Sequence, residues 1–100
     1  MMRKLLLSLS VVVWIAPCQA DVATDTALGH IDFPNSGSAD AQAPFVRGVL
    51  LLHSFEYEDA REEFRRAQAI DPRFSLAYWG EAMTHNHPLW REQDREAALA

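Results

Sequence analysis

The feature that most restricts the fold of this chain is the stretch from Phe45 to Pro72, which carries two apolar stripes at helical spacing. In its second half, apolar residues recur every three or four positions and therefore share one face of a helix. These residues are Tyr57, Ala60, Phe64, Ala67 and Ile70. The opposite face is charged, and Glu62 is spaced for ion pairs with Arg65 and Arg66. We predict a helix over about 57–70.

A first helix is predicted from about Ala41 or Pro44 to His53. Pro44 suits the first turn of a helix, where its missing N–H has no partner to lose. This helix is apolar around most of its circumference, so it needs cover on more than one side. Gly48 lowers helix propensity by about 1 kcal/mol relative to alanine. A glycine at such a position indicates close approach of another backbone, and the second helix is the obvious neighbour.

Asp71 and Pro72 end the second helix, and a third helical pattern of apolar residues follows them. Ser75 is predicted as the N-cap of a third helix that ends near His85. The segment 86–90 then breaks the helix, and a helical pattern resumes over 92–100. The sequence therefore predicts an all-α fold of short antiparallel helical hairpins.

Five residues of the central stretch are separated by 12, 4, 3 and 5 positions. They are Gly48, Ala60, Phe64, Ala67 and Pro72. Together with the runs YEDAREEFRRAQAIDP and AYWGEAM, this spacing resembles the tetratricopeptide repeat, a helical hairpin of about 34 residues. The order LGHIDFPNSG, FVRGVLLLHSFEYEDA, AYWGEAMTHNHPLW is similar, more narrowly, to exported bacterial tetratricopeptide-repeat proteins of poorly defined activity. One departure is Phe55, which stands where the turn between the helices often has glycine.

The resemblance implies an α-solenoid fragment, with a first hairpin at 41–74 and a partial second unit at 75–100. It also implies a concave groove that is lined by the first helix of each unit and suits an extended peptide or a partner helix. The groove positions are Phe45, Val49, Leu52 and His53, then Trp79, Met83, Asn86 and His87. A competing interpretation treats these residues as ordinary core, covered by later helices of a longer array. The expected partner is a protein or peptide.

Residues 1–20 have the layout of a secretory signal peptide. Arg3 and Lys4 precede an apolar run from Leu5 to Ala16, and Ala20 is the expected cleavage position. The run is shorter than the ~20 apolar residues that a membrane span needs. We therefore expect a periplasmic or secreted protein without a membrane span after cleavage. An alternative is a lipoprotein that is anchored through Cys18.

Residues 21–40 are polar and rich in turn formers, which predicts an irregular leader. Ile31 and Phe33 alternate with polar neighbours, so a short extended segment could pack against the first helix. The alternative is a flexible tether.

Charge and motif content exclude several functions. Two of the nine basic residues lie in the signal peptide, which leaves seven against 14 acidic ones. Nucleic-acid binding needs clustered Lys and Arg and is not expected. No catalytic triad, phosphate loop or cysteine nucleophile is apparent, so we expect neither an enzyme nor a cofactor.

The main rival to a scaffold is a periplasmic metal-binding protein that uses His53, His85 and His87. Zinc takes three or four such ligands. His85 and His87 are two positions apart, however, and on a continuous helix they would point in different directions.

Overall fold

The computed structural model describes residues 27–100. The predicted signal peptide, with Cys18 and Ala20, and the first part of the leader lie outside the described residues. The described part is predominantly helical, which confirms the all-α class. Its elements are a 3-10 turn at Ala39–Ala41, α1 (Gln42–His53), α2 (Tyr57–Ile70), α3 (Ser75–Met83), β1 (Asn86–His87), β2 (Glu92–Gln93) and α4 (Arg95–Leu99).

The first three helices form a layer in which α2 contacts both neighbours. Residues 54–56 join α1 to α2, and the two helices pack along each other. Because so short a connection reverses the chain, they run antiparallel. α3 packs mainly on α2 and α4 packs on α3. None of the helices in residues 27–100 combines the length and the apolarity that a membrane crossing requires.

The phenyl ring of Phe64 is the centre of the core and is completely buried. A side-chain carbon added at Gly48 of α1 would lie 2.9 Å from the Cε1 atom of this ring. A carbon added at Gly80 of α3 would overlap the same edge of the ring. The buried side chains of Ala60 and Ala67 on α2 leave room for the neighbouring helices. The expected close approach at Gly48 is therefore present, and Gly80 supplies a second one from the other helix.

Charged residues of α2 pair differently from the sequence prediction, which was wrong here. The Nε atom of Arg65 lies 2.6 Å from a carboxylate oxygen of Glu81 on α3. Arg66 pairs with Glu63 at 3.0 Å rather than with Glu62. Arg65 thus links α2 to α3 instead of stabilising α2 alone.

The third helix departs from prediction at both ends. Ser75 is its first helical residue and makes no capping hydrogen bond, so the predicted N-cap is wrong. The helix stops at Met83 rather than His85, and buried Thr84 follows it. The Thr84 hydroxyl donates to the Glu81 carbonyl oxygen at 2.6 Å. This local bond satisfies a carbonyl at the helix end.

A short antiparallel hairpin, which the sequence did not predict, follows α3. Asn86 pairs with Gln93, and His87 pairs with Glu92. The last helix starts at Arg95, three residues later than expected, because Asp94 caps it. The Asp94 carboxylate accepts a hydrogen bond from the Ala97 amide at 2.9 Å.

Candidate functional site

The α1 side of the predicted groove is closed. Phe45 and Val49 are 0% and 2% exposed, so for these two residues the interpretation as core is correct. The Phe45 ring packs on Phe64 of α2 and on Phe74 before α3, at centroid distances of 5.9 and 4.7 Å. The ring of Phe33, in the leader, meets the Phe45 ring edge-on at a centroid distance of 5.4 Å. Leu28 and Ile31 also pack against the core.

The end of α1 is more accessible than its start. Leu52 is half-buried and packs against the core. His53 is exposed, and its Nδ1 atom lies 2.8 Å from the Val49 carbonyl oxygen. A carbonyl oxygen can only accept, so Nδ1 carries the proton of this hydrogen bond.

The α3 side of the predicted groove is open. Trp79 is 46% exposed, although tryptophan is among the residues with most apolar area to bury. Met83 and Leu76 lie one helical turn to either side of Trp79 and are half-buried. Leu76 packs against the core and fixes this face of α3. The Trp79 indole thus lies at the edge of an apolar strip that continues into the core.

The last two predicted groove residues, Asn86 and His87, lie in β1 and are half-buried. His87 belongs to an aromatic cluster formed by Phe55, Tyr57, His87 and Trp90, in which Phe55 and Trp90 are exposed and the other two are half-buried. Its ring stacks on Tyr57 at a centroid distance of 4.0 Å. Trp90 meets Phe55 and Tyr57 edge-to-face at 5.9 and 6.3 Å. The aromatic cluster thereby joins the turn between α1 and α2 to the hairpin.

Phe55 holds its position in the aromatic cluster with a backbone φ of 63°, in the left-handed region. Side chains other than glycine enter this region at a cost of about 1–2 kcal/mol. The ring is 49% exposed, and burial of its other half, with the contacts to Tyr57 and Trp90, opposes that cost. Phe55 thus occupies a backbone conformation that favours glycine.

A polar depression lies beside the hairpin. Its walls are Arg61, His85, His87, Glu92, Gln93, Asp94 and Ala97. The Arg61 Nε atom donates to the Thr84 hydroxyl at 3.0 Å, which fixes the guanidinium at the base of α2. Burial, and then the positive charge of Arg61, hold the pKa of His85 below its ordinary value of 6.5. Both acidic and basic groups line this depression, so it does not favour a strongly charged ligand of either sign.

The predicted metal-binding alternative finds no support in the geometry of residues 27–100. In that part of the chain, no group of three or more His, Cys, Asp or Glu side chains is placed to hold a metal ion, so His53, His85 and His87 do not form one. His87 Nε2 instead lies 3.0 Å from the Thr84 carbonyl oxygen. Its Nδ1 lies 3.6 Å from a carboxylate oxygen of Glu92.

Sequence reasoning missed three contributors to this surface. Gly80 was visible within the run AYWGEAM but was not assigned a packing role. Gly37 lies in the turn-rich leader, and it is so close to the Phe74 ring that a side chain there would overlap it. Thr84 carried no signal of its own, because its role depends on Arg61, which is 23 residues away in sequence.

No protein-family model matches this chain, and neither the curated proteins nor the solved structures contain a significant match.

Proposed function

We propose that this chain is an exported tetratricopeptide-like scaffold that binds a protein or an extended peptide. The contact of α1 and α2 through Gly48 and Phe64 supports the repeat-like architecture, because the small and aromatic residues of the repeat pattern meet there. Export is proposed from the sequence of residues 1–20 alone.

The observation that carries the proposal is the exposure of Trp79 beside Met83 on α3. The open part of the groove comprises Leu52 and His53 at the end of α1 and Trp79 and Met83 on α3. Flexible methionine and rigid tryptophan side chains provide adaptable apolar contact with a partner. The aromatic cluster offers further apolar surface at Phe55 and Trp90, which are 49% and 57% exposed. Binding, rather than catalysis, is what such a surface does well.

Capture of a partner from envelope extract by the exported chain tests this proposal, with Trp79→Ala as the variant. Ile70→Ala is the matched control, because Ile70 is similarly exposed at 44% but lies on α2, outside the groove. We expect Trp79→Ala to reduce the amount of captured partner at least about tenfold, which is the usual effect of removing an aromatic residue from a binding hot spot. Ile70→Ala should retain it.

The melting temperature of both variants separates binding from folding. A large fall for Trp79→Ala alone would place the indole in the core rather than in the groove. Equal capture by the wild type and Trp79→Ala would remove α3 from the binding surface.

A further inference from the structure

The leader packs as an extended segment with a regular alternation of inward and outward residues. Ile31, Phe33, Asn35 and Gly37 are half-buried, whereas the residues between them are exposed. This two-residue period is typical of an extended chain that lies with one face on a surface. The leader is therefore irregular in secondary structure but regular in how it contacts the helices.

Apolar contacts hold the middle of the leader on the α1 side of the predicted groove. Phe33 lies against Phe45, which itself contacts Phe74 at a centroid distance of 4.7 Å. Gly37 lies directly on the Phe74 ring, where any side chain would collide. An aromatic residue and a residue without a side chain, four positions apart, thus fit two adjacent sites on the surface.

Polar contacts fix the register of the same segment. The side-chain amides of Asn35 and Gln42 donate to each other's oxygen, both at 2.8 Å. Asn35 also accepts from the Gly37 amide at 2.9 Å, which closes a turn. The Ser38 amide donates to the Asp71 carboxylate at 2.9 Å. Gln42 therefore recognises the side-chain amide at position 35, and Asp71 recognises the backbone N–H at position 38.

We propose that residues 31–37 act as an internal ligand of the groove, and that the external partner is a peptide of the same chemistry that displaces them. Such a peptide carries an aliphatic residue, an aromatic residue two positions later and an amide side chain two positions after that; it is extended up to the amide residue and turns there. A small residue follows two positions further on. This inference rests on the proposed peptide-binding function and adds the chemistry of the peptide.

The leader competes with free peptide for the same surface, so binding of free peptide to the wild-type chain should be weak. A segment on a short tether has an effective concentration on the order of millimolar, so dilute free peptide does not displace it. Weakening the leader, while the groove is left intact, should therefore raise the apparent affinity for free peptide.

The test uses a fluorescent synthetic peptide of residues 27–38 and measures its binding to the exported chain by anisotropy. In Asn35→Ala the leader loses both side-chain hydrogen bonds to Gln42. We expect the peptide to bind this variant about tenfold more tightly than it binds the wild type. Asp32→Ala is the matched control, because Asp32 is an exposed residue of the same segment and should leave the affinity unchanged. A peptide with alanine in place of the asparagine and the phenylalanine should bind none of the chains.

A second variant, Phe33→Ala/Asn35→Ala, covers the case in which the leader is also needed for folding. If this variant melts early, saturating wild-type peptide should restore its melting temperature. Unchanged peptide affinity in Asn35→Ala, or no restoration in the double variant, would show that the leader is a permanent part of the core. In that event, Trp79-dependent capture of a partner would still stand by itself. If neither tighter peptide binding by Asn35→Ala nor Trp79-dependent capture is observed, the proposed binding function is wrong as well.

Discussion

The most informative perturbation of this fold is Gly80→Ala, because it tests whether one ring is held between two helices. The alanine methyl would overlap the edge of the Phe64 ring. Gly48 approaches the same edge from α1, and the Phe45 ring lies at a centroid distance of 5.9 Å, so the displaced ring has little free space. Overpacking of a core costs about 1–3 kcal/mol. The gain in helix propensity on replacing glycine by alanine is about 1 kcal/mol.

Because the methyl overlaps the ring edge, the cost of overpacking lies in the upper part of that range, and Gly80→Ala should lower the free energy of unfolding by roughly 1–2 kcal/mol net. Gly48→Ala should destabilise less than Gly80→Ala, because its methyl would lie 2.9 Å from the ring, farther away than the methyl at position 80 but still too close without movement of the ring. In the background of Phe64→Leu the ring edge is gone, and Gly80→Ala should then stabilise by about 1 kcal/mol. The resulting coupling energy between positions 64 and 80 is on the order of 2 kcal/mol.

Urea unfolding followed by far-ultraviolet circular dichroism measures these differences, and comparison of m-values checks that the unfolded state is unchanged. For a domain of this size, 1 kcal/mol corresponds to about 4–8 °C in melting temperature. Comparison of Glu62→Gly with Glu62→Ala, at an exposed position of α2, gives the helix-propensity effect without a packing change. If Gly80→Ala stabilises the wild-type chain by the propensity increment, Phe64 is not wedged between the helices.

Two further predictions concern strain and pH. Phe55→Gly removes a steric cost of about 1–2 kcal/mol together with the ring contacts to Tyr57 and Trp90, so the melting temperature should change little, and a clear fall would show that the aromatic cluster is essential for folding. Acidification should destabilise the fold in two stages. The folded pKa of His85 is lowered by burial and by the charge of Arg61, so the unfolded state binds more protons and stability falls as pH drops below 6.5. Burial raises the pKa of Glu81, but hydrogen bonds from Gln68 and Arg65 outweigh it, so the pKa lies below its ordinary value of 4.5 and the stability that this carboxylate contributes is lost below that pH. His85→Gln should remove the first stage and Glu81→Gln the second in melting curves recorded across this pH range, and an unchanged pH profile in either variant would refute its assignment.

The residues predicted to line the groove differ in how exposed they are on the two helices. Trp79 and Met83 were predicted as groove residues from the resemblance, and the structure leaves them accessible enough to act as such. Phe45 and Val49 came from the same resemblance but are buried. The leader ring of Phe33 packs on Phe45, whereas Trp79 on α3 stays 46% exposed.

Local physical chemistry was enough to predict the first two helices. The spacing of apolar residues alone predicts α2 at its observed bounds and the C-terminal end of α1. Residue size, read with that spacing, also predicts that Gly48 lies close to the second helix. These features depend on neighbours three or four positions apart, which the sequence displays directly.

Only the tertiary structure determined the hydrogen-bond partners that join separate segments of the chain. The end of α3 rests on Thr84 and its contact with Arg61, and the register of the leader rests on Asn35, Gln42 and Asp71. Each of these polar groups has several alternative partners within the sequence, and water competes for all of them. Only the packing around Phe64 brings the observed partners within hydrogen-bonding distance, so the sequence alone could not select them.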